Sequence, residues 1–405
     1  MKLLFVYPPS VYLNHAMFKH YTYFAETINL VASDGYCVDV VDCGVELYDR
    51  RYIYAKLKGI DVLILLVEPY NIKISLSIAR IAKDVNSHCH VIIYGTAASL
   101  IPHFFSKKEA IDFIVADGFF YEGISRALGN IEHCESQHFK VLVNNGKMES
   151  KRWGSPLSEL IPLERYKKYG NNMLELTVQT GCPYNCSFCS EKILFGGKYN
   201  CIYNQRPVSD IVPILSKASG NFSSVYFSAT TFTYDRAWVV SLCDSIISEK
   251  ICLPWRSDTR IDCLDEELLR KMKEAGLKQL SIGIESFDAN LLQRVRKGVN
   301  ADSIYGQIKM CQDEGIVIKA LLILGIPGQT AAEVRRTQEI VRELHLPYRW
   351  KEYSPIRELH EADFKGEDVE ALIDTFDRTN FNTNSVAGLS PREYMELLFP
   401  NDYKR

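Results

Sequence analysis

Along this chain, short continuous apolar runs interleave with longer amphipathic stretches, and the pattern occurs twice with a polar interruption between. In the first part Lys2 to Tyr7, Cys37 to Val41, Asp61 to Val67, Val91 to Tyr94 and Ile111 to Ala116 read as strands, and Tyr23 to Ser33 and Ile74 to Val85 as helices. Apolar runs without polar alternation belong to strands buried on both faces. Residues 1–130 are therefore predicted to form a doubly wound, Rossmann-like α/β domain. Ligands of such sheets bind beyond the carboxyl ends of the strands, which here are Pro8 to His20, Glu68 to Asn71, Gly95 to Ser99 and Asp117 to Glu122.

Residues 131–172 turn polar, with a charged run from Lys147 to Arg152 and prolines at Pro156 and Pro162, and read as a linker. The pattern then resumes. Strands are expected at Leu174 to Gln179, Ser224 to Ser228, Leu253 to Asp258, Gln279 to Ile284, Ile318 to Leu324 and Trp350 to Pro355. Helices are expected at Pro207 to Lys217, Arg236 to Ser248, Glu266 to Ala275, Ala289 to Arg296, Ala301 to Glu314 and Ala332 to Leu344. Six strand–helix units over residues 173–356 predict a partial (β/α)6 barrel with its chemistry on the loops at the strand carboxyl ends. Residues 357–405 are left for a short helical tail, with helices near Asp368 to Phe376 and Pro391 to Leu398.

Composition narrows the class without naming it. The 405 residues are 47% hydrophobic and 24% charged, an ordinary globular mixture. A net charge of −3, from 47 basic and 50 acidic residues, gives no global basic field for nucleic acid. The N-terminal apolar run is too short for a signal peptide, and no segment approaches the roughly 18 apolar residues that cross a bilayer. Twelve cysteines without a secretion signal are read as free thiols in a reducing compartment, so a cytoplasmic location is expected.

Three of those cysteines carry the chemistry. Cys182, Cys186 and Cys189 lie in Gly-Cys-Pro-Tyr-Asn-Cys-Ser-Phe-Cys-Ser directly after the first barrel strand, a spacing suited to three thiolates on one iron–sulfur cluster. A four-iron cluster usually takes four cysteines, so three leave one iron open to a ligand. Structural zinc asks for four protein ligands, and no second cysteine knuckle or histidine pair stands nearby. Buried structural thiols fit the tight Gly-Cys-Pro entry poorly.

On this motif the chain resembles the radical S-adenosylmethionine (SAM) enzymes. The resemblance implies a [4Fe–4S] cluster on the three cysteines, SAM on the open iron, an external electron donor, and a 5′-deoxyadenosyl radical formed by reductive cleavage. It places Phe188, the aromatic residue before the last cysteine, near the adenine. Ser281-Ile282-Gly283-Ile284-Glu285-Ser286, followed by Arg296-Lys297-Gly298, resembles the fourth-strand pattern of the subfamily with an N-terminal cobalamin-binding domain, and Gly325-Ile326-Pro327-Gly328 its turn after the fifth strand. Tyr7-Pro8-Pro9 and Gly95-Thr96-Ala97-Ala98-Ser99 carry the same likeness in the first domain.

Site residues follow from this resemblance. SAM contacts are expected from Phe188, Ser228, Thr230, Arg256, Gly283, Glu285, Gly325 and Pro327, and cobalamin, if bound, from Gly95, Thr96 and Ser99. Glu285 is expected to face the barrel mouth and touch SAM, or an arginine such as Arg256 or Arg260; the bland alternative is an ion pair internal to the barrel. Arg256 and Arg260 are candidate clamps for the SAM carboxylate. Three departures stand out: Tyr94 and Asp117 occupy positions where the subfamily commonly has glycine, and Ala229 and Thr230 replace two acids, one of which commonly meets the SAM amino group. No Asp-x-His-x-x-Gly segment offers a histidine to cobalt.

The leading expectation is cobalamin-dependent C-methylation of a natural-product or peptide substrate at an unactivated C–H bond. The alternative is a cobalamin-free radical dehydration, deoxygenation or epimerisation of a sugar-containing or peptide-derived metabolite, with the N-terminal domain as scaffold. A tRNA methylthiotransferase would need a second cluster, which Cys37, Cys43 and Cys89 are not spaced to hold. A cobalamin or SAM sensor would require a vestigial cysteine loop. The remaining cysteines read as core or surface thiols, with Cys201 and Cys252 as hydrogen donors only if they face the mouth. Aromatic residues from Tyr12 to Phe24, with His15 and His20, read as packing or as a lid.

Overall fold

The computed structural model describes residues 1–9, 18–46, 49–133, 140–142, 152–169, 172–195, 203–353, 360 and 386–398. The expectations for Tyr12, His15, most of the charged run at 147–152, Cys201 and the helix at 368–376 lie outside the described residues. Contacts divide the chain into two compact units. The first comprises Met1–Glu175, Ser190–Asn204 and Ile356–Thr379, and the second Leu176–Cys189, Gln205–Pro355 and Asn380–Arg405. Among the described residues no helix is long and apolar enough to cross a membrane.

The first unit is built on six strands: β1 (Lys2–Tyr7), β2 (Cys37–Asp42), β3 (Val62–Leu66), β4 (His90–Tyr94), β5 (Phe113–Val115) and β6 (Val141–Leu142). They pair in parallel in the order β2-β1-β3-β4-β5-β6, with Phe5 opposite both Val40 and Ile64. Every residue of β3 is buried, as its unbroken Val-Leu-Ile-Leu-Leu run demands. The helix Ile72–Val85 buries Ile72, Ser75, Ile78, Ala79 and Ala82, an apolar stripe at helical spacing that covers one sheet face.

The sequence pattern missed the polar helix Arg50–Leu57, whose buried residues are only Ile53 and Leu57. It also missed most of Phe120–Glu132 by reading Asp117 to Glu122 as a loop. Part of the stretch read as a linker is structured: β6 joins the sheet beside β5, and Leu163–Tyr169 is helical.

The second sheet runs β14-β13-β12-β11-β10-β7, an open six-stranded series. Its strands are β7 (Met173–Thr177), β10 (Ser224–Ser228), β11 (Trp255–Thr259), β12 (Leu277–Glu285), β13 (Val317–Leu324) and β14 (Tyr348–Glu352); two-residue strands β8 (Gln179–Thr180) and β9 (Asn204–Gln205) lie between β7 and β10 in the chain. β10 through β14 pair in parallel, each joined to the next by at least one helix, so the fold is the partial barrel that the alternation predicted. One sheet face carries Phe227, Trp255, Ile282 and Leu322, all buried. The other carries Tyr226, Arg256, Ser281 and Lys319, which keep contact with water.

Helices that follow the strands start at side-chain caps. Asp235 accepts from Trp238 N (3.1 Å), Asp265 from Leu268 N (2.8 Å) and Asp288 from Leu291 N (2.9 Å), and Thr330 with Glu333 forms a capping box. These caps fix where each strand-to-helix loop ends, which sets the rim on which the site is built.

Candidate functional site

The cysteine loop leaves the end of β8 and is fastened at several points within the second unit. Thr230 Oγ1 donates to Gly181 O (2.6 Å), and Ser187 N donates to Val295 O (3.0 Å). Cys182 Sγ lies 3.7 Å from Thr231 Oγ1. Phe188 packs against an apolar cluster of Leu291 and Val295, from the helix after β12, with Ile323, Ile326 and Tyr353, near the ends of β13 and β14. Cys182 is buried, Cys186 and Cys189 are half-buried, and none is in a disulfide.

Two cations converge on this loop. The Arg260 guanidinium lies 3.7 Å above the Tyr184 ring, donates to both Asp262 carboxylate oxygens (3.0 and 2.9 Å) and to Lys297 O (2.8 Å), and brings Nη1 to 4.0 Å from Cys186 Sγ. The Tyr184 hydroxyl in turn sits 3.1 Å from Cys263 Sγ. Lys297 forms a 2.8 Å ion pair with Glu285, and both side chains are nearly excluded from water, at 7% and 8% exposure. Burial pushes the Cys186 thiol up from its ordinary value, while Lys297 and Arg260 pull it down.

Glu285 reaches this position through an irregular strand end. The register between β12 and β13 slips between Gly283 and Glu285, and Glu285 adopts φ +64°, a conformation costly for a residue with a side chain. Gly283 makes room for the pair. A Cβ there would lie 2.5 Å from Glu285 Oε1 and 2.7 Å from Lys297 Nζ. The partner of Glu285 is thus Lys297, and neither Arg256 nor Arg260. Arg260 is already engaged by Asp262, and Arg256 lies back along β11, exposed, with its guanidinium 5.6 Å from the Tyr226 ring.

The other expected SAM residues divide by their present partners. Ser228 is buried at the end of β10, and its carbonyl accepts from Val178 N (3.0 Å). Thr230 spends its hydroxyl on Gly181, so here it fastens the loop. Gly325 N donates to Gln329 Oε1 (2.7 Å) and Pro327 O accepts from Arg294 Nη1 (3.1 Å), which pins the turn after β13 from both sides. Sequence reasoning named Lys297 only within the Arg296-Lys297-Gly298 likeness and gave no role to Tyr184 or Asp262. The alternation of Arg256, Asp258 and Arg260 on one face was the available signal for the last.

In the first unit, the carboxyl edge of the sheet is crowded with polar groups. The Tyr7 and Tyr70 hydroxyls lie 3.2 Å apart where the strand order reverses between β1 and β3. Buried Asp42 accepts from Tyr166 OH and Gly44 N, and burial drives its carboxyl up to about 7. Thr96 donates through both N and Oγ1 to Glu68 Oε1 (3.2 Å each), and Ser99 Oγ donates to Gly95 O (3.0 Å). A Cβ on Gly95 would stand 2.6 Å from Val67 O, so that glycine serves the packing of the loop on β3.

The donor set of the second unit fits an iron–sulfur cluster. Among the described residues no three Cys, His, Asp or Glu side chains converge as ligands of a single metal ion would. A cluster asks for a wider arrangement, because each thiolate binds a different iron. Arg260 brings Nη1 to 4.0 Å from Cys186 Sγ, the kind of outer contact that orients a metal-binding thiolate. Two buried polar atoms next to the loop, Gln179 Nε2 and Thr180 Oγ1, have no hydrogen-bond partner among the described residues, as expected beside a site that takes a ligand.

Residues 176–341 match the family model described as the radical SAM superfamily. Three curated relatives share 23–29% identity. An uncharacterized methyltransferase of Pyrococcus horikoshii is 24% identical over 67% of this chain and 62% of its own length. The anaerobic magnesium-protoporphyrin IX monomethyl ester cyclase of Rubrivivax gelatinosus is 29% identical over 50% and 36%, and the hopanoid C-3 methylase of Methylococcus capsulatus 23% over 62% and 50%. The chain therefore spans between about a third and two thirds of the lengths of these relatives. The fold is that of TsrM from Kitasatospora setae, a radical SAM methyltransferase solved with tryptophan substrate and a SAM analogue (TM-score 0.72, 16% identity, 88% of this chain and 74% of that one). It is also that of the cobalamin-dependent SAM radical enzyme OxsB (TM-score 0.64, 14% identity, 100% and 61%).

Proposed function

We propose that this chain is a radical SAM enzyme that abstracts hydrogen from an unactivated C–H bond, with cobalamin-dependent C-methylation of a natural-product or peptide substrate as its reaction. The observation that carries the reading is the fastened three-cysteine loop, with the Arg260 guanidinium 4.0 Å from Cys186 Sγ. A bound cluster supplies the electron that cleaves SAM to the 5′-deoxyadenosyl radical. The chain's own residues do the rest: Cys182, Cys186 and Cys189 hold three irons, Arg260 fixes the loop to Asp262 and to the Lys297 carbonyl, and Phe188 closes one side with apolar surface. Ser228, Gly283 and the Gly325–Pro327 turn line the rim that SAM would meet. The names of the relatives, two methylating enzymes among the three, support methyl transfer. An external reductant would deliver the electron, and the cluster and free thiols suit the reducing cytoplasm.

One observation favours the second reading, a cobalamin-free dehydration, deoxygenation or epimerisation. At the edge where cobalamin would be held, Thr96 and Ser99 already bond within the protein, and Tyr7 meets Tyr70 at the strand-order reversal. The test is anaerobic purification and reconstitution with hydroxocobalamin, followed by metal counts. About four irons and one cobalt per chain support methyl transfer; the same iron without cobalt selects the second reading. Cys186→Ala is expected to abolish 5′-deoxyadenosine formation, and deoxyadenosine at the wild-type level would refute the radical mechanism.

A further inference from the structure

Parallel strands in register place paired residues on the same sheet face, and residues two apart on one strand share it as well. Arg256, Asp258 and Arg260 therefore continue one face of β11, and that face leads to the cysteine loop through Arg260. On β13 Lys319, Leu321 and Ile323 lie on the corresponding face, since Ser281 pairs with both Asp258 and Lys319, and Ile323 belongs to the apolar cluster against which Phe188 of the same loop packs. Arg349 joins from β14 opposite Leu321. Three cations, on β11, β13 and β14, thus share the sheet face that continues to the cysteine loop through Arg260.

Among the described residues little answers their charge. Asp258, two strands and so about 10 Å from Lys319, accepts from Tyr226 OH (2.7 Å), and Arg256 lies over the same tyrosine ring. Among the described residues Lys319 and Arg349 have no carboxylate within ion-pair distance. Lys319 is only partly exposed, and its ammonium is pushed down by burial and by Arg349 and Arg256, with Asp258 pulling the other way. Such like-charged groups on one concave face lower their mutual repulsion when a dianion sits among them. A phosphate, with its charge spread over several acceptor oxygens, answers three cations and one carboxylate better than a single carboxylate would.

We propose that the inner face formed by Arg256, Lys319 and Arg349 is the recognition site for a phosphorylated small-molecule substrate. This rests on the radical SAM reading for its chemistry and adds the class of molecule acted on. The phosphate anchors the substrate within the barrel, which leaves its carbon skeleton free to extend toward the rim where the radical forms.

The test uses the reconstituted full-length chain and a matched pair of probes, glycerol 3-phosphate and glycerol, titrated by phosphorus and proton NMR at physiological ionic strength. Saturable binding of the phosphate ester alone is expected. Lys319→Gln and Arg349→Gln should each weaken it by about tenfold, the loss of one charge-assisted contact. Arg236→Gln, at an exposed pair with Asp265 and Glu267, should leave it as in wild type. Arg349 is exposed, so its variant keeps the test valid if the Lys319 variant folds poorly. Binding that neither variant weakens overturns the proposal, as does displacement of the ester by SAM, which would assign these cations to the SAM carboxylate. Tighter binding of a single-stranded oligonucleotide through the same cations would also overturn it. Iron content and deoxyadenosine formation, read on the same samples, separate the two ideas. Absent phosphate binding with both intact defeats this inference alone; phosphate binding without deoxyadenosine defeats the radical reading and keeps the anion site.

Discussion

Replacing Lys297 by methionine tests whether the Glu285–Lys297 pair is a buried electrostatic unit. The two side chains are 8% and 7% exposed and 2.8 Å apart, so the substitution strands a carboxylate in a nearly dry site. Removing one member of such a pair costs about 3–5 kcal/mol, most of it the penalty of the uncompensated charge. Replacing both members by apolar residues of similar size is often close to neutral. Lys297→Met should therefore lose about 3–5 kcal/mol, and Lys297→Met with Glu285→Leu should recover most of the loss. Urea unfolding followed by tryptophan fluorescence suits the measurement, because Trp238, Trp255 and Trp350 all belong to the second unit. A loss under about 1 kcal/mol for the single variant, the value of an exposed pair, would refute the reasoning. A double variant as damaged as the single would refute it too.

Asp42, its carboxyl raised to about 7 by burial, binds a proton in the folded state that the unfolded chain releases near its ordinary value of 3.8. Its contribution is complete below pH 3.8 and falls away as pH rises through 7, so Asp42→Asn should flatten the stability profile in that window; an unchanged slope in thermal melts would count against it. Gly95→Ala forces a Cβ to 2.6 Å from Val67 O at φ +114° and should cost about 1–3 kcal/mol of stability, read as a lower melting temperature. Thiol labelling of the native, cluster-free chain should reach exposed Cys37 and Cys252 quickly. Cys43, Cys243 and Cys311, buried and pushed up to about 12, should react only on unfolding; rapid labelling of all five would contradict the packing.

Strands were legible wherever burial on both faces removed the polar alternation. Lys2–Tyr7 and Ser224–Ser228 match their expected bounds, and the remaining strands differ by a few residues at their ends. Helices with an apolar stripe and a cap, such as Arg236–Ser248, were equally plain. Arg50–Leu57 was not, because two buried residues in eight make no stripe. The same limit applies to the site. Spacing marks Cys182, Cys186 and Cys189 as a ligand set, since all three lie in one loop. The choice of Lys297 as partner of Glu285 depends on a strand slip and a left-handed residue, which apolar periodicity does not encode.

The Arg260 clamp bears on the speed of electron uptake. It joins the cysteine loop, the Asp262 turn and the Lys297 carbonyl through one planar group stacked on Tyr184. A centre that changes charge inside such a brace moves few heavy atoms, so little nuclear rearrangement accompanies each reduction. For a cluster held there, encounter with a reductant, rather than motion of the loop, would then set the pace of recharging between turnovers.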